Sequence, residues 1–128
     1  MAHQFGKHYT LDEARALLPS IRDWLERIAQ GRLRLENSEA RLVPLLADGA
    51  DCGGSIVAQW VRALVEIKLS LGEFASRHIQ IKDLDRGLID FPALRGSKEV
   101  FLCWEKDEDD IEFWHDLETG FTGREKLP

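Results

Sequence analysis

At Ile79 the spacing of apolar residues changes, and that change constrains the fold more than any other feature of the chain. Upstream, Trp60, Leu64, Ile67, Leu71 and Phe74 recur at intervals of four and three, with Val57 and Val61 widening the face. That is the period of one side of an α-helix. Downstream, Ile79 and Ile81 alternate with Gln80 and Lys82, the period of a strand. Helices followed by strands, without alternation between them, predict an α+β fold.

The helical part opens on Thr10-Leu11-Asp12-Glu13, which reads as a capping box. The Thr10 hydroxyl can accept from the Glu13 N–H while the Glu13 carboxylate accepts from the Thr10 N–H. Ala14, Leu17, Leu18 and Ile21 follow at helical spacing. Pro19 has no N–H to donate and disfavours the α conformation at Leu18. The spacing therefore predicts a short helix over 11–17 and a longer one starting near Pro19. The longer helix carries Ile21, Leu25, Ile28, Leu35, Leu42 and Leu46, with Arg32 and Glu39 on the same seam and Gly31 and Pro44 weakening it. Residues 47–54, ADGADCGG, form a loop, and Ser55 caps the next helix. Two such helices joined by a short loop make a long antiparallel hairpin over about 10–78.

The remainder, about 79–121, reads as a small three-stranded antiparallel β-meander. Its strands are 88–91, stopped by Pro92, then 99–104 and 111–115, with an acidic tip at 105–110. Alternation about that tip sets Phe101, Cys103, Ile111, Phe113 and His115 on one face, and Val100, Leu102, Trp104, Trp114 and Asp116 on the other. Both faces are apolar, so one is expected against the hairpin and the other against a second layer or another subunit.

Composition narrows the function classes. The 128 residues suit a single domain spanning 1–128, with 44% hydrophobic and 31% charged residues. A net charge of −6 repels phosphate, and the arginines between positions 15 and 41 are interleaved with acids, so nucleic acid is not expected as a partner. No apolar run is long enough to span a membrane, and the opening MAHQFGKHYT lacks the apolar core of a signal peptide. Cys52 and Cys103 are far apart and form no paired motif, so both are expected as reduced thiols in the cytoplasm.

The candidate chemistry gathers in the last third. Asp85, Asp90, Cys103 and His115 are the candidate ligands for a divalent metal, and Asp90, His115 and Arg124 the candidate catalytic groups. His115 and Asp116 are neighbours on a strand and point to opposite faces, whereas Cys103 shares the face of His115. The structural reading makes His115 a hydrogen-bonded histidine of a partly buried sheet. It pairs Asp90 with a backbone N–H or with Arg86, Arg95 or Arg124, and lets Asp85 cap a turn. The acidic tip lacks the ligand spacing and glycine of a calcium loop and reads as a solvated hairpin end. Cys52 has no histidine close in sequence to activate it, and His3 and His8, in an arm expected to be flexible, are given no role. No phosphate-binding glycine loop, dinucleotide fingerprint or nucleophile elbow is present, and no cofactor is evident.

Several motifs occur in an order that resembles the bacterial family catalogued as domain of unknown function 2203. They are Tyr9-Thr10-Leu11-Asp12-Glu13-Ala14 with Leu17-Leu18-Pro19, Lys82-Asp83-Leu84, Gly87-Leu88-Ile89-Asp90-Phe91-Pro92, Leu102-Cys103-Trp104, Trp114-His115-Asp116, Gly120-Phe121 and Gly123-Arg124. The resemblance implies a shared fold and supplies no activity. Two departures stand out. Asp107-Glu108 stands where the family tends to Gly-Glu, so Asp107 is expected in a conformation easiest for glycine, and His78 stands where the family tends to a helix-ending glycine.

The function expected from these residues is that of a small homo-oligomeric interaction or assembly module, a homodimer or a partner of another protein through its long helices. The alternative is a metal-dependent or hydrolytic enzyme with a pocket around Asp85, Asp90, Cys103, His115 and Arg124.

Overall fold

The computed structural model describes residues 3–49 and 54–128. Helices α1 (Leu11–Ala47) and α2 (Ser55–Ala75) precede β1 (Gln80–Asp83), β2 (Leu88–Arg95), β3 (Lys98–Glu105), β4 (Phe113–Asp116) and β5 (Glu125–Lys126). The strands form one antiparallel sheet in sequential order, so the fold is α+β, with five strands rather than three. Two compact units make up the chain: Met1–Arg22 with Phe74–Pro128, and Asp23–Glu73. Cys52, in the expected loop, lies outside the described residues. Among the described residues no helix is long and apolar enough to cross a membrane.

In the first unit the capping box forms as expected. Glu13 N–H donates to Thr10 Oγ1 at 3.1 Å, and Thr10 N–H to Glu13 Oε1 at 2.9 Å. The expected break at Pro19 does not occur, and α1 runs straight through it. Ala14, Leu18 and Ile21 are all buried while Pro19 is exposed. The apolar stripe therefore continues across the proline, and its burial outweighs one forfeited i→i−4 bond.

Pro92 does not stop its strand either. β2 extends to Arg95, pairing Pro92 with Phe101 of β3. On its other side β1 reaches only Asp90, through Gln80. Among the described residues the nitrogen of Pro92 thus faces a side with no strand, where Tyr9 N–H donates to the Pro92 carbonyl at 2.7 Å. Of the two additional strands, β1, of four residues, lies where Ile81 alternates with Gln80 and Lys82, and β5, of two, is too short for alternation to announce it.

The β3–β4 register pairs Phe101 with His115, Cys103 with Phe113, Val100 with Asp116 and Leu102 with Trp114, the two faces expected from alternation. Ile111 is buried but precedes β4. The ring of Tyr9 meets Phe91 edge-on at 5.7 Å, and Arg22 lies over Trp104 at 5.2 Å, covering the face opposite the histidine. The histidine face is covered by the chain itself: Phe5 packs edge-on to Phe101 at 5.4 Å, and Arg124 lies 3.8 Å over Phe113. An arm and a C-terminal segment supply the second layer, and the arm expected to be flexible is docked.

His78 ends α2 at φ 60°, and among the described residues it is the one non-glycine with positive φ. Asp107 is therefore not in the glycine-like conformation expected of it. The cap is complete: Ile79 N–H donates to Phe74 O and His78 N–H to Ala75 O, each at 3.1 Å, the paired bonds of a Schellman motif.

In the unit Asp23–Glu73 the helices meet in antiparallel order, through Arg34 with Glu66 (2.9 Å), Trp60 with Glu39 (3.2 Å) and Arg41 with Gln59 (3.5 Å). The seam is the expected one only in part: Ile28 is buried and Leu25, Leu35, Leu42, Trp60 and Ile67 are half-buried. Gly31, Ser38, Ala63 and Ser70 are buried on it, whereas Arg32, Glu39, Leu46, Leu64 and Leu71 are exposed. Small residues permit the close approach: a Cβ on Gly31 would sit 2.7 Å from Ile67 Cγ1. The bulkier residues one position along drew the reading away from them.

A left-handed residue other than glycine carries a backbone penalty of ~1–2 kcal/mol, partly offset by the extra unfolded-state freedom of glycine. His78→Gly is therefore expected to stabilise the protein by roughly 0.5–1 kcal/mol, read as a raised urea midpoint with an unchanged slope.

Candidate functional site

Asp90 on β2 stands opposite Cys103 on β3, and His115 on β4 lies two residues along from the partner of Cys103, Phe113. A period of two places all three side chains on one face. Their ligating atoms all lie within 4.8 Å of one another. Their exposures are 1%, 0% and 2%, so the cluster is sealed beneath the arm and the C-terminal segment.

The hydrogen bonds define the imidazole. His115 Nδ1 lies 2.6 Å from the Asp116 carbonyl oxygen, which can only accept, so Nδ1 carries a proton. Nε2 therefore points into the cluster, 3.0 Å from Asp90 Oδ2. A bond between those two atoms needs one further proton, shared between imidazole and carboxyl. Asp90 Oδ1 is buried with no hydrogen-bond partner. Burial pushes the Asp90 carboxyl above its ordinary value, against the opposing pull of His115 and the Cys103 thiol. Burial, and then the Asp90 charge, push Cys103 up to about 12 although Arg124 opposes them. At neutral pH it is a thiol, not a nucleophile.

Arg124 is placed by aromatic and carboxylate contacts. It stacks on Phe113 and on Phe121 (4.4 Å), pairs with both oxygens of Glu108 at 3.1 and 2.6 Å, and directs Nη1 at Cys103 Sγ from 3.7 Å. Glu108 is the residue that sequence reasoning missed, because it was counted with the acidic tip. That tip is tied down by arginines: Glu105 holds Arg86 at 3.0 Å and Asp110 holds Arg15 at 3.1 Å. Asp85 lies exposed between β1 and β2 and is not among the converging donors. The arginines expected beside Asp90 go elsewhere, Arg95 to the ring of Trp114 at 4.2 Å. The Asp116 carboxylate points away from the cluster to Lys98, 2.8 Å away.

A second group joins His3, His8 and Glu99. His8 Nε2 lies 2.8 Å from Glu99, which also accepts from the N–H groups of Gln4 (2.6 Å) and Phe5 (3.1 Å). Desolvation pushes the carboxyl of Glu99 up, yet these donors together hold it down to about 2. In the unit Asp23–Glu73, Arg34, Arg41, Gln59 and Arg62 line a groove. It shares no residue with either cluster.

The family model described as "Uncharacterized conserved protein (DUF2203)" matches residues 7–127, and the chain belongs to that family. No curated protein and no solved structure matches the chain.

Removing one member of a buried pair strands the other. His115→Ala leaves Asp90 without its partner and is expected to cost about 3–5 kcal/mol. Asp90→Asn supplies an N–H to Nε2 and should cost about 1 kcal/mol. Chemical denaturation of the two variants checks the contrast. For Glu99, the folded value lies below the unfolded 4.5. Its contribution is therefore complete above about pH 4.5 and is lost as the pH falls towards 2. A carboxyl-carbon NMR titration should find the depressed midpoint, and Glu99→Gln should remove hydrogen-exchange protection at Gln4 and Phe5 at neutral pH.

Proposed function

We propose that this member of the DUF2203 family is a small assembly module that self-associates through the outer face of α2. One observation carries the reading: α2 is apolar on both of its sides. Its inner seam, Trp60, Ala63, Ile67 and Ser70, meets α1, while Val57, Val61, Leu64, Val65, Leu69 and Leu71 remain 37–67% exposed on the outside. At 100° per residue these positions, with Ala58 and Gly72, span nearly half the circumference, and Lys68 is the single charge among them. The polar residues Gln59, Arg62, Glu66 and Glu73 fall on one narrow stripe, so the apolar surface of α2 is wider than one packing seam requires.

The occupant proposed is a second copy. Two such faces packed about a two-fold axis complete a four-helix arrangement with one apolar layer at its centre. The chain carries −6 overall, which disfavours self-association wherever acids face acids, but this surface contributes no acid. The compartment proposed is the cytoplasm, where the Cys103 thiol stays reduced. The enzyme reading is not adopted, because Asp90, Cys103 and His115 are at most 2% exposed and a pocket would have to be opened before a substrate could meet them.

Light scattering coupled to size exclusion is expected to give twice the chain mass at high micromolar concentration. Val65→Lys with Leu69→Glu should weaken association by roughly 100-fold or more with an unchanged circular dichroism spectrum. A wild-type monomer at that concentration, or a dimer that survives the double substitution, would overturn the proposal.

A further inference from the structure

We infer that Asp90, Cys103 and His115 form a site for one transition-metal dication of the zinc(II) class. One sulfur, one imidazole nitrogen and one carboxylate are donors suited to such an ion and unsuited to calcium or magnesium. Bonds of about 2.0–2.3 Å put neighbouring ligands roughly 3.3–3.8 Å apart. The three donors already lie within 4.8 Å of one another, with Nε2 and Oδ2 at 3.0 Å, so small side-chain rotations reach that spacing.

Three further observations point the same way. Nδ1–H is bound to the Asp116 carbonyl, so Nε2 presents to the cluster, the second-sphere bond that orients a ligating histidine. Asp90 Oδ1 is buried without a partner, a donor that an ion would satisfy. Arg124 directs an N–H at Cys103 Sγ, a contact that supports a thiolate once formed.

The charges balance. Without an ion the thiol is neutral, and the Asp90–His115 pair shares one proton and is neutral overall. Binding M²⁺ expels the thiol proton and the shared proton, leaving a thiolate, a carboxylate, a neutral imidazole and the dication, again neutral overall. Loading costs no net buried charge, and because the donors are sealed it accompanies folding or local opening.

The full-length, tag-free protein, unfolded with a chelator and refolded with cobalt(II), tests the site. One equivalent of cobalt should give a thiolate-to-metal charge-transfer band that zinc(II) abolishes. Cys103→Ser should lose the band and Cys52→Ser should keep it, which separates the two thiols. His3→Ala with His8→Ala should also keep it, because that cluster holds no sulfur. Zinc should raise the thermal midpoint of the wild type and leave that of Cys103→Ser unchanged. Natively refolded wild type without the band, or a band that survives Cys103→Ser, would overturn the inference.

Discussion

The pairing of β2 with β3 is the constraint on which the rest depends. Eight consecutive residue pairs, from Leu88 with Glu105 to Arg95 with Lys98, run without a shift in register, closed by a turn in which Gly96 takes φ 63°. Because side chains alternate with period two, a slip of one residue would send Asp90 to the helix-facing side and bring Ile89 or Phe91 over Cys103. The rows that meet Tyr9 and Arg22, and the cluster on the opposite face, are therefore products of one register. The outer strands inherit it: β1 sets Gln80 against Asp90, and β4 sets His115 against Phe101.

An aspartate and a histidine at the centre of that sheet are an expensive way to fill space. Leucine and phenylalanine of similar size would bury the same area without desolvating charge, and such exchanges are often neutral or stabilising. The arrangement is specific in ways that filling alone does not require. Nδ1 is anchored, Nε2 faces a carboxylate, and one oxygen of that carboxylate has no partner. Here the local rules of polar satisfaction are broken, and in a sequence otherwise consistent with its fold such breaks concentrate where there is a role beyond packing.

How much of this was legible follows from which signals are periodic. The capping box, the two helices, the central strands and the two sheet faces were all readable, since each rests on spacing. With the His78 and Asp107 departures noted, Tyr9–Ala14 and the Gly87–Pro92 stretch pointed to the family as well. At Pro19 and Pro92 local propensity predicts a break, but one proline is solvent-exposed on a helix whose other face is buried and the other faces an unpaired edge, so neither element stops there. Ile28, Leu35, Trp60 and Ile67 mark the helix seam by their spacing, but Gly31, Ser38, Ala63 and Ser70 take the places expected of Arg32, Glu39, Leu64 and Leu71, because they act by being small and carry little hydrophobic signal. At the cluster, alternation put Cys103 beside His115. The inclusion of Asp90 and the exclusion of Asp85 needed the β2–β3 register, and Glu108 was invisible because its partner Arg124 is 16 residues away.

Arg124 shows why residue type matters more than charge in the layer over the cluster. One guanidinium lies between Phe113 and Phe121, meets Glu108 with two nitrogens, and still directs an N–H at sulfur. A planar fork with five donors can do all three, whereas an ammonium is a point charge that stacks poorly and cannot form the two parallel bonds. Glu108 in turn accepts from the Glu105 N–H at 2.8 Å, and its carbonyl accepts from Trp104 Nε1 at 3.0 Å. The chain runs from the tip through Glu108 to Arg124 and on to Cys103, so the acidic turn that looked like a solvated hairpin end anchors the cover of the sulfur. Neutralising Arg124 with Glu108, rather than with Asp90, leaves the Asp90 carboxyl paired with His115 inside the cluster.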